Sequence, residues 1–226
     1  MSYFVITSNH PRHFYFLEQL ENNLEIDLII IVPKKGSIKD EEIYFCYEKS
    51  RLKKRKNVIY VDSKELHSKK ILQEIIKIRP EIGIVFGGPI LKESIFKIPN
   101  YGCINIHTGL VQFYRGVDST IWPLYENKLN LIGYTIHLID KKIDAGDILF
   151  QDNIKIKKDD NLDKIFFRTC KGGIDGLIKQ LKKIRLQNYK YIKLDEYGKV
   201  YKIKDMTPKV LEKAKINLHK FQKSIN

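Results

Sequence analysis

An α/β fold, a mostly parallel sheet with helices on both faces, is predicted by three observations. Short β-branched runs are apolar enough to be buried on both sides, helix-like segments alternate with them, and polar or glycine-rich motifs stand where those runs end. The 226 residues are 43% hydrophobic and 11% aromatic, enough for one core without help from disulfides or metal. The expected organisation is a main domain over residues 1–186 and a short hairpin and helix extension over 187–226, packed on it or at a dimer interface.

Each element has its own signal. YFVITS is a β-branched run ended by polar residues, a first strand. PRHFYFLEQLENN opens with proline, whose missing N–H costs nothing in a first helical turn, and Phe14, Leu17 and Leu20 recur on one face. EIDLIIIVP is the second strand. A helix over 40–52, a strand NVIYV, a helix over 64–78 and a strand EIGIVFGG continue the alternation. Such parallel strands are joined by right-handed crossovers and collect ligands at their carboxyl ends.

GCINIH is the next strand, followed by a helix around 119–127 and the strand IGYTIHLI. The turn DKKIDAGD is short enough to return the chain as an antiparallel strand, ILFQDNIKI. A long helix over 159–186 is weakened by Gly172, Gly173 and Gly176. A hairpin-like KLDEYGKVYKI and a last helix after Thr207–Pro208 follow.

The net charge is +14, and residues 151–226 hold 20 of the 41 Lys+Arg but only 9 of the 27 Asp+Glu. A basic surface of this kind attracts nucleic acid, anionic lipid or diphosphate-bearing metabolites through a screened field. Abundant lysine throughout is the plainer explanation, and the run KSRLKKRKN over 49–57 reads as a solvated helix end. Cys46, Cys103 and Cys170 have neither disulfide nor zinc spacing, which suits a reducing compartment. The longest apolar run is too short for a membrane helix, and the opening MSYFVITSNH lacks a signal peptide's basic flank. A cytoplasmic protein that engages no membrane is expected.

Three motifs carry polar chemistry. Alternation in GCINIH puts Asn105 and His107 on one face, where an amide donor and an imidazole suit polarising a carbonyl and moving a proton. IDAGD places Asp144 in a turn between two strands, a common composition because Asp bonds its own backbone and Gly tolerates positive φ. VFGGPIL ends a strand with glycines that permit close backbone approach. Each has an ordinary structural explanation when taken alone.

Their joint order is informative. GGPIL, N-I-H, Y-R-G, W-P-L, G-Y-T-I-H-L-I-D and D-A-G-D-I-L-F-Q over residues 87–151 resemble the N10-formyltetrahydrofolate-dependent formyltransferase family. The resemblance implies a Rossmann-like catalytic fold and formyl transfer to a primary amine with no covalent enzyme intermediate and no metal. It places the catalytic Asn, His and Asp on Asn105, His107 and Asp144. Donors from Asn105 and His107 would stabilise the developing oxyanion, each worth roughly 2.7–4 kcal/mol. His107, tuned by Asp144, would relay the amine's proton, worth roughly 10²–10⁴-fold.

The folate's pterin is expected against Ile90 and Leu91 and near Asp140 and Asp144. Tyr114 and Arg115 fall on the amine substrate's side. Arg115 is the leading phosphate ligand because guanidinium grips phosphate oxygens bidentately, and His10 and Arg12 are second-rank candidates. Trp122 reads as core and His137 as structural. HTGLVQFYRG departs from the family by carrying Gln112 where proline is usual, which frees the backbone there.

Among amines, the glycine-free TSNHPRHFYF disfavours the glycinamide ribonucleotide enzymes, whose phosphate loop is glycine-rich. The 40 or so residues after the long helix are too few for the C-terminal barrel of methionyl-tRNA enzymes. Formyltetrahydrofolate hydrolases usually carry a regulatory domain ahead of the catalytic one. The sugar N-formyltransferases remain, with a nucleotide-diphosphate amino sugar rather than nucleic acid as the expected partner, and a homodimer as the family's common assembly. A dTDP-linked 4-amino-4,6-dideoxyhexose is the substrate the resemblance suggests; aminoacyl-tRNA formylation and formyltetrahydrofolate hydrolysis are the alternatives.

Overall fold

The computed structural model describes residues 1–34, 41–47, 55 and 57–224. Its strands form a seven-stranded, mostly parallel sheet in the order β3-β2-β1-β4-β5-β7-β8, and a separate pair, β6-β9. The chain divides into two compact units, Met1–Asn105 with Leu138–Lys141, and Ile106–His137 with Lys142–Asn226.

The first unit runs β1 (Tyr3–Thr7), α1 (Pro11–Glu21), β2 (Leu28–Ile31), α2 (Glu41–Tyr44), β3 (Val58–Tyr60), α3 (Lys69–Lys77), β4 (Ile82–Phe86) and α4 (Glu93–Phe96), then enters β5 (Cys103–His107). β1 pairs in parallel with β2 and β4, β2 with β3, and β4 with β5. β1, β2 and β4 are buried along their whole length, which is why their sequences are continuously apolar rather than alternating. One face is packed by Phe4, Ile6, Ile30, Ile71, Ile75 and Ile95.

α3 begins five residues later than the expected helix over 64–78. Asp62 Oδ1 accepts the Lys64 amide, holding a turn, and Ser68 caps the helix by accepting the Ile71 amide. Of the helix expected over 40–52, Glu41–Tyr44 form the single turn α2 and residues 45–47 have left it; residues 40 and 48–52 lie outside the described residues. Within the basic run over 49–57 only Arg55 and Asn57 are described, and Arg55 grips Glu21 with two hydrogen bonds of 2.6 and 2.7 Å.

The second unit holds β6 (Tyr114–Gly116), α5 (Ile121–Tyr125), β7 (Gly133–Leu138), β8 (Ile148–Asn153), α6 (Leu162–Arg185), β9 (Lys199–Tyr201) and α7 (Pro208–Ser224). β7 and β8 are antiparallel, as the short turn requires. Asn161 caps α6 by accepting the Lys164 amide at 2.7 Å. The α6 glycines are close-packing positions rather than weak points: a Cβ at Gly172 would lie 2.6 Å from the Tyr134 ring and one at Gly173 2.5 Å from Ile106. Trp122 is 3% exposed and stacks on Tyr201 at 3.9 Å, and Asn217 of α7 donates to the Leu124 and Tyr125 carbonyls.

KLDEYGKVYKI does not fold into a hairpin. Lys199–Tyr201 pairs in parallel with Tyr114–Gly116, while Ile192 bridges antiparallel to Ile148. Alternation marks a segment as extended but does not choose its partner: the second half pairs with β6, and Ile192, just ahead of the segment, pairs with Ile148.

Candidate active site

Asp144 sits in the turn between β7 and β8 at φ +45°. A non-glycine residue in the left-handed region costs free energy and persists where its surroundings over-determine it. Here the carboxylate does that. Oδ2 accepts the Gly116 amide of β6 at 2.8 Å and stands 3.4 Å from Nδ1 of His107, and Oδ1 is 3.6 Å from Nε2 of His137 on β7. Burial pushes the carboxyl pKa upward, but His107, His137 and the Gly116 amide together hold it well below the usual carboxylate range. Asp144 is a fixed negative charge.

His107, at the end of β5, is 5% exposed and its Nε2 lies 2.9 Å from the Tyr114 carbonyl oxygen. Burial lowers its pKa, an effect Asp144 opposes and His137 and Arg115 reinforce. A neutral imidazole carries one N–H. The Tyr114 carbonyl can only accept, so that hydrogen resides on Nε2. Nδ1 then keeps its lone pair beside Asp144, at a separation longer than a hydrogen bond. One added proton would complete both contacts, so the ring is arranged as a proton acceptor. His137, read from sequence as structural, thus shares the carboxylate with His107, with ring centroids 6.4 Å apart.

The loop after β5 is tied down. Thr135 Oγ1 donates to the Gly109 carbonyl at 2.7 Å and accepts the Val111 amide at 3.3 Å. Gln112, expected to free the backbone, instead spends its side-chain amide on Gln151 Oε1 of β8 at 2.8 Å. The Tyr114 side chain is 2% exposed, and its hydroxyl donates to Glu126 Oε2, while Tyr201 donates to Oε1 of the same carboxylate. Its ring therefore braces β6 and β9, and its carbonyl serves His107.

Arg115 fastens two loops. Its Nε donates to the Gly198 carbonyl at 2.8 Å and its Nη1 to the Ile143 carbonyl at 3.1 Å, one residue before Asp144. The guanidinium lies 5.2 Å from the centre of the Tyr197 ring, and Lys142 Nζ lies 4.8 Å from the same centre.

The remaining sequence-predicted residues belong to the first unit. Asn105 is half-buried on β5, two residues before His107. Ile90 is 71% exposed, whereas its neighbour Leu91 is packed in the core. Asp140 is exposed and accepts the Lys141 amide. Arg12 is joined through Nη1 to Oε1 of Glu41 at 2.8 Å, and the Glu41 side chain is fully buried.

His10 stacks on His13 with ring centroids 5.6 Å apart. His13 is wholly buried, meets Phe86 edge-on, and neither of its ring nitrogens has a hydrogen-bond partner among the described residues. Burial, then Arg12, His10 and Lys34, lower its pKa far below the usual histidine value. His13 and Glu41 escaped the sequence reading. The three-residue spacing of His10 and His13 was a usable signal for the first; no local signal marks the second. Among the described residues no group of three or more His, Cys, Asp and Glu side chains is placed to hold a metal, and no helix is long and apolar enough to cross a membrane.

Comparison with known proteins adds to this geometry. The formyl transferase family matches residues 4–181. The methionyl-tRNA formyltransferase of Caldanaerobacter subterraneus subsp. tengcongensis is 30% identical over 167 residues, covering 73% of this chain and 53% of that protein. The one from Sulfurihydrogenibium sp. is 31% identical over 166 residues with the same coverages, 73% and 53%. The chain spans about half the length of the curated relatives it matches.

Among solved structures, a sugar N-formyltransferase from Shewanella sp shares the fold with a TM-score of 0.69 at 19% identity, over 96% of this chain and 87% of that one. The N-formyltransferase from Helicobacter canadensis, solved with folinic acid and dTDP-3-aminofucose, gives 0.68 at 19% identity, over 99% and 82%. These likenesses establish a common fold. With its match running from β1 into α6 and spanning both His107 and Asp144, the chain belongs to the formyl transferase family.

Proposed function

We propose that this chain, acting in the cytoplasm, transfers the formyl group of N10-formyltetrahydrofolate to the primary amine of a nucleotide-linked amino sugar, for cell-surface glycan synthesis. The observation that carries the chemistry is a buried His107 held at Nε2 by the Tyr114 carbonyl, with Nδ1 facing the ionised Asp144. In this reading the amine nitrogen bonds to the formyl carbon and the formyl C–N10 bond breaks. His107 takes the proton the amine loses and returns it to N10, while Asp144 stabilises the imidazolium in between. Asn105 donates to the formyl oxygen as it gains charge. Exposed Ile90 with Leu91, and Asp140, are the proposed pterin contacts.

The sugar substrate is supported by how much of this chain the sugar enzymes match: the Shewanella and Helicobacter structures cover 96% and 99% of it, and two phosphoribosylglycinamide formyltransferases 89% and 81%. A second reading, formylation of aminoacyl-tRNA, is favoured by the 30–31% identity of the methionyl-tRNA relatives and by the basic 151–226 segment. Incubation with formyltetrahydrofolate and a panel of dTDP- and UDP-amino sugars, read by mass spectrometry, should add one formyl group to a sugar nucleotide. Formylation of methionyl-tRNA alone would establish the second reading, and release of formate without any acceptor would mark a hydrolase.

A further inference from the structure

We propose that Arg115, Lys142 and Tyr197 form the receptor for the substrate's diphosphate, with the Tyr197 ring gathering the two cations; this rests on the nucleotide-sugar reading above. Arg12, Arg55 and Arg168 each engage a carboxylate, on Glu41, Glu21 and Asp160. Arg115 and Lys142 do not: among the described residues neither forms an ion pair. Arg115 is instead oriented by two carbonyls, which fix its position without neutralising it. Both cations lie within cation–π range of a single ring that is 46% exposed. An anion arriving at this ring would meet two cations that no carboxylate among the described residues neutralises.

The location suits a diphosphate. Arg115 binds the carbonyl of Ile143, adjacent to Asp144, and the diphosphate of a nucleotide sugar is separated from the amine only by the sugar ring. The planar fork of Arg115 and the compact ammonium of Lys142 are the two cation types that phosphate oxygens accept. Tyr197 lies beyond residue 181, where the family match ends, so this chain supplies part of its receptor from its own C-terminal segment.

The test is calorimetric titration of dTDP, UDP, GDP, CDP and ADP, without sugar or folate, into the full chain and its variants. One diphosphate should bind, more weakly at higher salt. Lys142→Ala should weaken it by about tenfold and Tyr197→Leu by about threefold, while Tyr197→Phe, which keeps the ring, should stay within about twofold. Thermal unfolding checks that each variant is folded. Binding left equal to wild type in Lys142→Ala and Tyr197→Leu overturns the receptor and leaves the nucleotide-sugar reading standing. Binding of no diphosphate, together with formylation of methionyl-tRNA, overturns both.

Discussion

Nδ1 of His107 stands 3.4 Å from Oδ2 of Asp144 while its Nε2 is engaged by a carbonyl that can only accept. The carboxylate therefore favours the protonated ring without holding its proton in the resting state. Asp144→Asn keeps the shape of the turn but removes the charge that stabilises the imidazolium. Steady-state formyl transfer should fall by roughly 10²–10⁴-fold, with the circular dichroism spectrum unchanged. A rate within a few-fold of wild type would exclude this role for Asp144.

The pH profile carries a second expectation. Burial lowers the His107 pKa from the usual value near 6.5, and a base must be neutral to accept a proton. The rate should rise with pH through an acid limb below that value and be flat around neutrality. Asp144 raises the His107 pKa, so in Asp144→Asn the limb should move to still lower pH beneath a reduced plateau. A limb moving to higher pH would contradict the assignment.

Gly116 has φ +86°, and a Cβ there would lie 2.2 Å from the Tyr201 carbonyl oxygen. Its amide also holds Asp144. Gly116→Ala should cost about 1–3 kcal/mol in denaturant unfolding, through backbone strain and a forced separation of β6 and β9. It should also lower transfer, because displacing β6 draws the residue 116 amide away from the Asp144 carboxylate. Wild-type stability would mean that the β6-β9 pair adapts freely.

Arg115→Lys keeps the charge but cannot reproduce the fork that reaches Gly198 and Ile143 together. The expected loss is about 1–3 kcal/mol of stability, measured by urea unfolding, and a decline in transfer. Retention of both would show that charge alone suffices at this position.

His13 gives a stability test away from the site. Its folded-state pKa is depressed, so the unfolded chain binds a proton that the folded chain refuses. Stability is full above the unfolded value of about 6.5 and declines as pH falls below it, by up to about 1.4 kcal/mol per pH unit for one proton. The slope between pH 6.5 and 5 should be shallower in His13→Leu. An identical slope would show that His13 titrates equally in both states.

The strands of the first unit were legible because burial on both faces leaves a continuous apolar run, as at Leu28–Ile31. Pro11 and Thr207–Pro208 marked helix starts for reasons internal to the local chain. Three-residue strands such as Tyr114–Gly116 carry no period to detect, and a parallel partner as remote as Lys199–Tyr201 is a tertiary choice. At the site, His107 and Asp144 could be nominated from motifs. The sharing of Asp144 by His137, and the use of the Tyr114 carbonyl rather than its side chain, depend on how β6, β7 and the turn converge.

The parallel pairing of β6 with β9 also sets an order of assembly during synthesis. His107, His137 and Asp144 leave the ribosome well before Tyr201, whose strand braces the one carrying Gly116 and Arg115. A nascent chain stalled in between has every proposed catalytic group but not the buttress that aligns them. Cleavage in the exposed 195–197 stretch would have the same effect on the finished protein: an intact catalytic constellation, silenced from a strand that contributes none of it.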